Sequence, residues 1–158
     1  HDERIHGFLC GTGPLADTLA PRADASGVTM LGLRNDVPEL LGACDLVVSC
    51  SRVEGLPLNI MEAMAAGAAF VAPELDQVRQ LVRTEPLLAR GLYTVPPTEA
   101  DVPSEVIQTW AEHVESVLGD GEWLAQCRAA GPEIIGSRYS LANMIAAYDR
   151  IYRRLMGS

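Results

Sequence analysis

Glu54 and Glu62 stand in the segment Ser51-Arg52-Val53-Glu54-Gly55-Leu56-Pro57-Leu58-Asn59-Ile60-Met61-Glu62-Ala63-Met64-Ala65-Ala66-Gly67, with seven residues between them. Glu54 falls in a loop that follows an apolar run, and Glu62 falls in the first turn of the helix that comes next. Between them lies a helix N-terminus, where backbone amides near Leu58 and Asn59 lack intrahelical acceptors and the helix dipole is positive. A diphosphate could rest on those amides while each carboxylate accepts hydroxyl protons, from a sugar on one side and a ribose on the other. The helix end handles the charge and the acids hold neutral polyols. A purely structural reading exists for Glu62: Asn59-Ile60-Met61-Glu62 has the spacing of an N-x-x-E capping box.

Elements that position these residues can be read from the hydrophobic pattern. Residues 5–10 read as a strand, ending at Gly11-Thr12-Gly13-Pro14, and residues 15–22 as a helix. Residues 28–31 form a second strand, followed by Gly32-Leu33-Arg34-Asn35-Asp36 and a helix over 37–43. Residues 45–49 (Asp-Leu-Val-Val-Ser) read as a strand with a continuous apolar centre, the type expected in a parallel sheet covered on both faces. Further strands are predicted at 69–72 and 92–95, with a helix near 77–82 between them. After Pro96-Pro97 the pattern is helical only, over 103–118, 121–130 and 141–155. The last helix carries Leu141, Met144, Ile145, Tyr148, Ile151, Tyr152 and Leu155 in one stripe, with Ser140 at the N-cap position. Strands alternating with helices imply βαβ units and a Rossmann-like, doubly wound parallel α/β sheet. Ligands of such sheets bind in the loops at strand C-termini, which puts residues 11–13, 32–36 and 49–57 at the chemistry.

Composition narrows the function. The formal charge is −9 over 158 residues, which argues against a nucleic-acid binder and against a broad polybasic membrane-docking face. Arg150, Arg153 and Arg154 form a local exception, read as a solvated helix face complementing the C-terminal dipole. No run of residues is long and apolar enough to cross a bilayer. Cys10, Cys44, Cys50 and Cys127 make no C-x-x-C pair and do not cluster with His1, His6 or His113. Cys10 and Cys50 end apolar runs and read as small buried hydrophobes in a reducing compartment, not as metal ligands. Gly11 and Gly13 suit a phosphate loop or simply a tight turn. Arg34 can pair with Asp36 or solvent as readily as meet a base. Trp110, Trp123, Met61 and Met64 read as packing residues.

The stretch E-G-L-P-L-N-I-M-E-A-M-A-A-G at 54–67 resembles the signature of the retaining GT-B glycosyltransferases of family 4, closest to members that build capsules and exopolysaccharides. The segments F-L-C-G-T-G-P-L at 8–15, V-T-M-L-G-L-R-N-D-V at 28–37, C-D-L-V-V-S-C-S at 44–51, G-L-Y-T-V at 91–95 and R-Y-S at 138–140 agree in order and spacing. The resemblance implies that residues 1–158 are a single donor-binding domain for a UDP- or GDP-sugar. Glu54 would be the catalytic acid that contacts the donor sugar and supports the transition state, and Glu62 would hold the ribose. Leu58 and Asn59 would give backbone amides to the diphosphate, Gly55 would also bind the donor, and Gly32, Leu33 and Arg34 would lie beside the base. It implies no cofactor and no catalytic metal ion, and a saccharide or lipid-linked acceptor. It further implies a cytoplasmic hexosyltransferase in polysaccharide biosynthesis, with peripheral membrane association of the intact enzyme on the cytoplasmic face.

The resemblance also implies a preceding strand and helix bearing an Arg and a Lys that neutralise the leaving diphosphate, and an acceptor-binding N-terminal domain. That strand would be central to the sheet, so the strands at 5–10 and 45–49 are expected either to close on each other or to pair with a strand supplied by another or a longer chain. Pro73-Glu74-Leu75-Asp76 stands where the family has a glycine-rich turn. Two other readings fit less of the sequence. One is a non-catalytic nucleotide-sugar-binding or scaffolding module. The other is a sugar-nucleotide epimerase of the same architecture, which lacks the 54–67 element.

Overall fold

A computed structural model describes residues 4–94 and 102–157. The chain divides into two compact units, one through Val37 and one from Pro38 onward. Val95, Pro96 and Pro97, where the sequence reading ends a strand and begins the helical tail, lie outside the described residues.

The first unit is one βαβ element. Strand β1 (Gly7–Cys10) and strand β2 (Val28–Gly32) pair in parallel, with Phe8 opposite Thr29 and Leu9 opposite Met30. Helix α1 (Ala16–Ala25) makes the crossover. The register slips between Leu9 and Cys10, which places Cys10 opposite Gly32. Gly32 has φ +64°, a left-handed conformation that favours glycine, and its carbonyl accepts from the Gly11 amide at 2.8 Å. Phe8 and Leu9 remain exposed.

In the second unit α2 (Val37–Ala43), whose first residue is the last of the first unit, leads into β3 (Leu46–Val48). Strands β3, β4 (Ala69–Pro73) and β5 (Leu92–Tyr93) form a parallel sheet in the order β3-β4-β5. Between them run α3 (Leu58–Ala65), α4 (Asp76–Val82) and the short α5 (Pro86–Ala89). Three helices follow: α6 (Ser104–Leu118), α7 (Gly121–Arg138) and α8 (Leu141–Met156). All strand pairs are parallel and the C-terminal end is helical, as the sequence pattern predicts. Within its own unit β1 pairs with β2, and within the other β3 pairs with β4.

The core sits around β4, every residue of which is buried. Ile60, Met64, Phe70, Val71, Val78, Leu88 and Val117 are almost fully enclosed there, each contributing roughly 1.5–3 kcal/mol relative to exposure. Two glycines permit close approaches. A Cβ on Gly91 would lie 2.2 Å from the Phe70 carbonyl oxygen, and one on Gly131 would lie 2.6 Å from that of Met64. The second contact is why α3 and α7 can pack backbone to backbone.

Helix α7 is longer than the periodicity predicts. The sequence reading ends it at residue 130, just before Gly131-Pro132, yet the helix runs to Arg138 with Pro132 inside it. Proline loses one i→i−4 bond, and packing of Gly131 on Met64 and burial of Ile134 hold the helix through that defect. Helix α8 begins at Ser140, whose hydroxyl accepts from the Asn143 amide at 3.2 Å, as its position predicts. Its apolar stripe forms as predicted, but Leu141, Met144, Ile145, Tyr148, Ile151, Tyr152 and Leu155 are all exposed.

Candidate functional site

Strand β3 delivers the chain into the loop over residues 49–57 through Ser49, which is only 4% exposed. The Ser49 amide extends the ladder by donating to the Val71 carbonyl at 2.9 Å. Val53 and Leu56 then stand out into solvent, Glu54 is half-buried, and Pro57 is enclosed at the foot of α3. Glu54 is thus carried on a loop whose two ends are fixed in the core.

At the start of α3, the first i→i−4 bond runs from the Met61 amide to the Pro57 carbonyl at 3.0 Å. Three amides precede it. Leu58 donates to the Leu56 carbonyl at 2.8 Å, and Ile60 donates to the side-chain Oδ1 of Asn59 at 2.9 Å. Among the described residues the Asn59 amide has no acceptor. Of the two amides read from sequence for a diphosphate, that of Leu58 is thus engaged in a tight turn, and that of Asn59 is without an acceptor among the described residues.

Glu62 lies one turn further along than the sequence reading puts it, since the first turn of α3 contains no acidic residue. It shares a face with Leu58, four residues earlier. The capping box does not form: Pro57 is the N-cap, with no side-chain cap bond, and Asn59 turns its oxygen to Ile60. Glu62 is exposed and available to a ligand.

Gly32, Leu33 and Arg34 belong to the first unit, whereas Glu54, Gly55, Leu58, Asn59 and Glu62 belong to the second. Leu33 is 77% exposed. Arg34 forms a two-pronged pair with Asp36, Nε to Oδ1 at 2.8 Å and Nη2 to Oδ2 at 2.5 Å, one of the pairings its sequence context allows. That pair raises the arginine pKa and holds the Asp36 carboxyl below the ordinary carboxylate range.

Cys10 and Cys50 are exposed, which corrects their reading as buried hydrophobes. Cys10 lies on β1, whose residues from Phe8 onward are solvent-facing, and Cys50 follows the buried Ser49 at the start of the loop. Cys127 is the buried one, and burial pushes its thiol up to about 11. Among the described residues no three His, Cys, Asp or Glu side chains cluster as a metal site. No helix there is long and apolar enough to cross a membrane.

Sequence reasoning missed the residues around Ser49. The Tyr93 hydroxyl donates to the Ser49 carbonyl at 2.7 Å, and its ring packs on Trp110 with centroids 4.8 Å apart. Trp110 in turn donates from Nε1 to the Thr94 carbonyl at 3.0 Å. A cavity of about 400 Å³ adjoins this pair, lined in part by Thr94, Val106 and His113. The available signal was a tyrosine in a short strand: a buried phenol has to find an acceptor.

Residues 1–120 match the family described as "Glycosyl transferases group 1". Among curated proteins, the chain is 40% identical over 53 residues to the N,N'-diacetylbacillosaminyl-diphospho-undecaprenol alpha-1,3-N-acetylgalactosaminyltransferase of Campylobacter jejuni, a match covering 34% of this chain and 14% of that protein. It is 39% identical over 56 residues to the UDP-Gal:alpha-D-GlcNAc-diphosphoundecaprenol alpha-1,3-galactosyltransferase of Escherichia coli, covering 35% of this chain and 14% of that one. The chain thus matches about one seventh of the length of these curated relatives. Among solved structures, Anabaena HepE in complex with UDP and glucose superposes with a TM-score of 0.70 at 22% identity, over 94% of this chain and 41% of that one. That similarity is one of fold, the GT-B glycosyltransferase fold.

Proposed function

The chain belongs to the group 1 glycosyl transferases, and on that premise we propose that it is the donor-binding domain of a retaining family 4 enzyme that transfers a hexose from a UDP- or GDP-sugar. The observation that carries this reading is the N-terminus of α3, where the Asn59 amide has no acceptor among the described residues, with Glu54 on the loop before it and Glu62 one turn along the helix. An amide at a helix end suits a phosphate oxygen, and the two carboxylates accept from hydroxyls on either side of it.

In this reading the diphosphate rests on the Asn59 amide beside Gly55. Engaging Leu58 as well requires the turn at 56–58 to open, because its amide is satisfied within the chain. Glu62 takes the ribose hydroxyls. Glu54 takes sugar hydroxyls, and its charge is placed to stabilise the positive character that develops at the sugar as the bond to the diphosphate breaks. Gly32, Leu33 and Arg34 lie beside the base, with Arg34 keeping or exchanging its Asp36 partner. No catalytic metal is invoked. The acceptor is a saccharide or a lipid-linked saccharide, as the names of both curated relatives suggest, and it is bound by a domain outside residues 1–158. The intact enzyme works in polysaccharide biosynthesis, in the cytoplasm or against the cytoplasmic face of a membrane.

A screen of UDP- and GDP-hexoses against the intact protein, read by calorimetry and by product formation, tests the reading. One donor is expected to bind and to be consumed with retention of anomeric configuration, followed by proton NMR of the product. Binding without transfer of any donor would favour a non-catalytic module instead, and inversion would refute the family 4 assignment.

A further inference from the structure

The loop that carries Glu54 leaves the sheet at Ser49, and the contacts of Ser49 are unusually complete. Its amide is held by Val71, its carbonyl by the Tyr93 hydroxyl, and its own hydroxyl lies 3.4 Å from the Ser51 hydroxyl and 3.5 Å from the Asn59 side-chain nitrogen. Asn59 is the residue whose amide opens the helix on the other side of the loop. Both ends of the segment 49–59 therefore meet at one serine.

Tyr93 is built to keep its place in that arrangement. It comes from β5, which pairs with β4 and not with β3, so its side chain reaches across the central strand to Ser49. The Tyr93 carbonyl accepts from the Glu74 amide at 2.8 Å, its ring lies against Trp110, and Trp110 is tied to Thr94. Only 7% of the residue is exposed. Burial foremost, with nearby Cys50, pushes its phenol pKa well above the ordinary value, so the hydroxyl stays protonated and remains a donor at all working pH values.

We propose that Tyr93 is a positioning residue for the donor site, its hydroxyl fixing the Ser49 carbonyl and thereby the height and orientation of the loop that bears Glu54. The proposal rests on the reading of Glu54 as the sugar-side carboxylate. Because Glu62 and the Asn59 amide are held by α3 itself, losing the Tyr93 hydroxyl should disturb the sugar side of the site more than the nucleotide side.

The test is Tyr93→Phe in the intact protein, which removes the hydroxyl and leaves the ring against Trp110. Hydrogen exchange at residues 50–57 is expected to rise by about tenfold while exchange in β4 and α7 stays as in the wild type. kcat should fall by about tenfold, with the affinity for UDP or GDP unchanged within about twofold. Trp110→Phe keeps the hydroxyl but loosens its ring, and should give the same pattern more weakly. Unchanged exchange at 50–57 in folded Tyr93→Phe would overturn the proposal. So would parallel losses of nucleotide affinity and kcat with faster exchange throughout the core, the mark of a merely structural residue. Failure of the donor-site reading has its own signature: neither UDP nor GDP would slow exchange at 54–62 in the wild type, whatever Tyr93→Phe does to the loop.

Discussion

Glu62 stands on the exposed face of α3 one turn along from the Asn59 amide, with no part among the described residues in the capping of its own helix. Replacing it with Ala should therefore leave the helix intact by circular dichroism and weaken donor binding by about 1–3 kcal/mol, measured by calorimetry in the intact protein. Loss of helicity would instead return Glu62 to a structural role. At this scale the sequence was most informative where chemistry repeats at short spacing: the two carboxylates and the helix start between them lie within a dozen residues of one another. It was silent on Ser49 and Tyr93, because a hydrogen bond between residues 44 positions apart leaves no local pattern. The capping box failed for a similar reason. Pro57 has φ −76° and takes the cap position itself, which shifts the helix start ahead of Asn59.

Elements follow their local periodicity except where tertiary contacts override it. Helix α7 is the clear case, since Gly131-Pro132 reads as a break until the contact between Gly131 and Met64 is known. Gly131→Ala should destabilise the fold by about 1–3 kcal/mol in urea unfolding, because the added methyl meets backbone at 2.6 Å and backbone cannot give way as a side chain does. The start of α7 offers a pH-dependent test. The Asp120 carboxylate accepts from the Trp123 amide at 2.9 Å and pairs with Arg90 at 2.6 Å, and the amide and Arg90, in that order, hold its pKa below the ordinary range. A carboxylate with a depressed folded pKa contributes stability above its unfolded pKa, about 3.9, and loses it as pH falls through the folded value. Asp120→Ala should therefore lower the melting temperature at pH 7, and the difference from wild type should shrink as pH is taken below about 4.

At the scale of the whole molecule, the alternation of strands and helices was enough to give parallel sheets with a helical C-terminal end. Periodicity also gave the apolar stripe of α8, but a stripe states only that a face is apolar. The structure leaves seven of its residues exposed from Leu141 to Leu155. The chain matches about one seventh of the length of its curated relatives, and in the proposed reading a further domain binds the acceptor. Residues 1–158 alone should accordingly transfer no sugar from UDP- or GDP-hexoses in a turnover assay, and measurable transfer would show that the donor unit is self-sufficient.

Turnover of Glu54→Gln in the intact protein, compared with wild type on the donor found to be active, bears most directly on the central claim. Gln keeps the size and hydrogen-bonding capacity of the side chain and removes only its charge. If Glu54 stabilises charge developing at the sugar, kcat should fall by about 100-fold or more while the affinity for the nucleotide diphosphate stays close to wild type. Undiminished turnover in a folded Glu54→Gln variant would contradict the account.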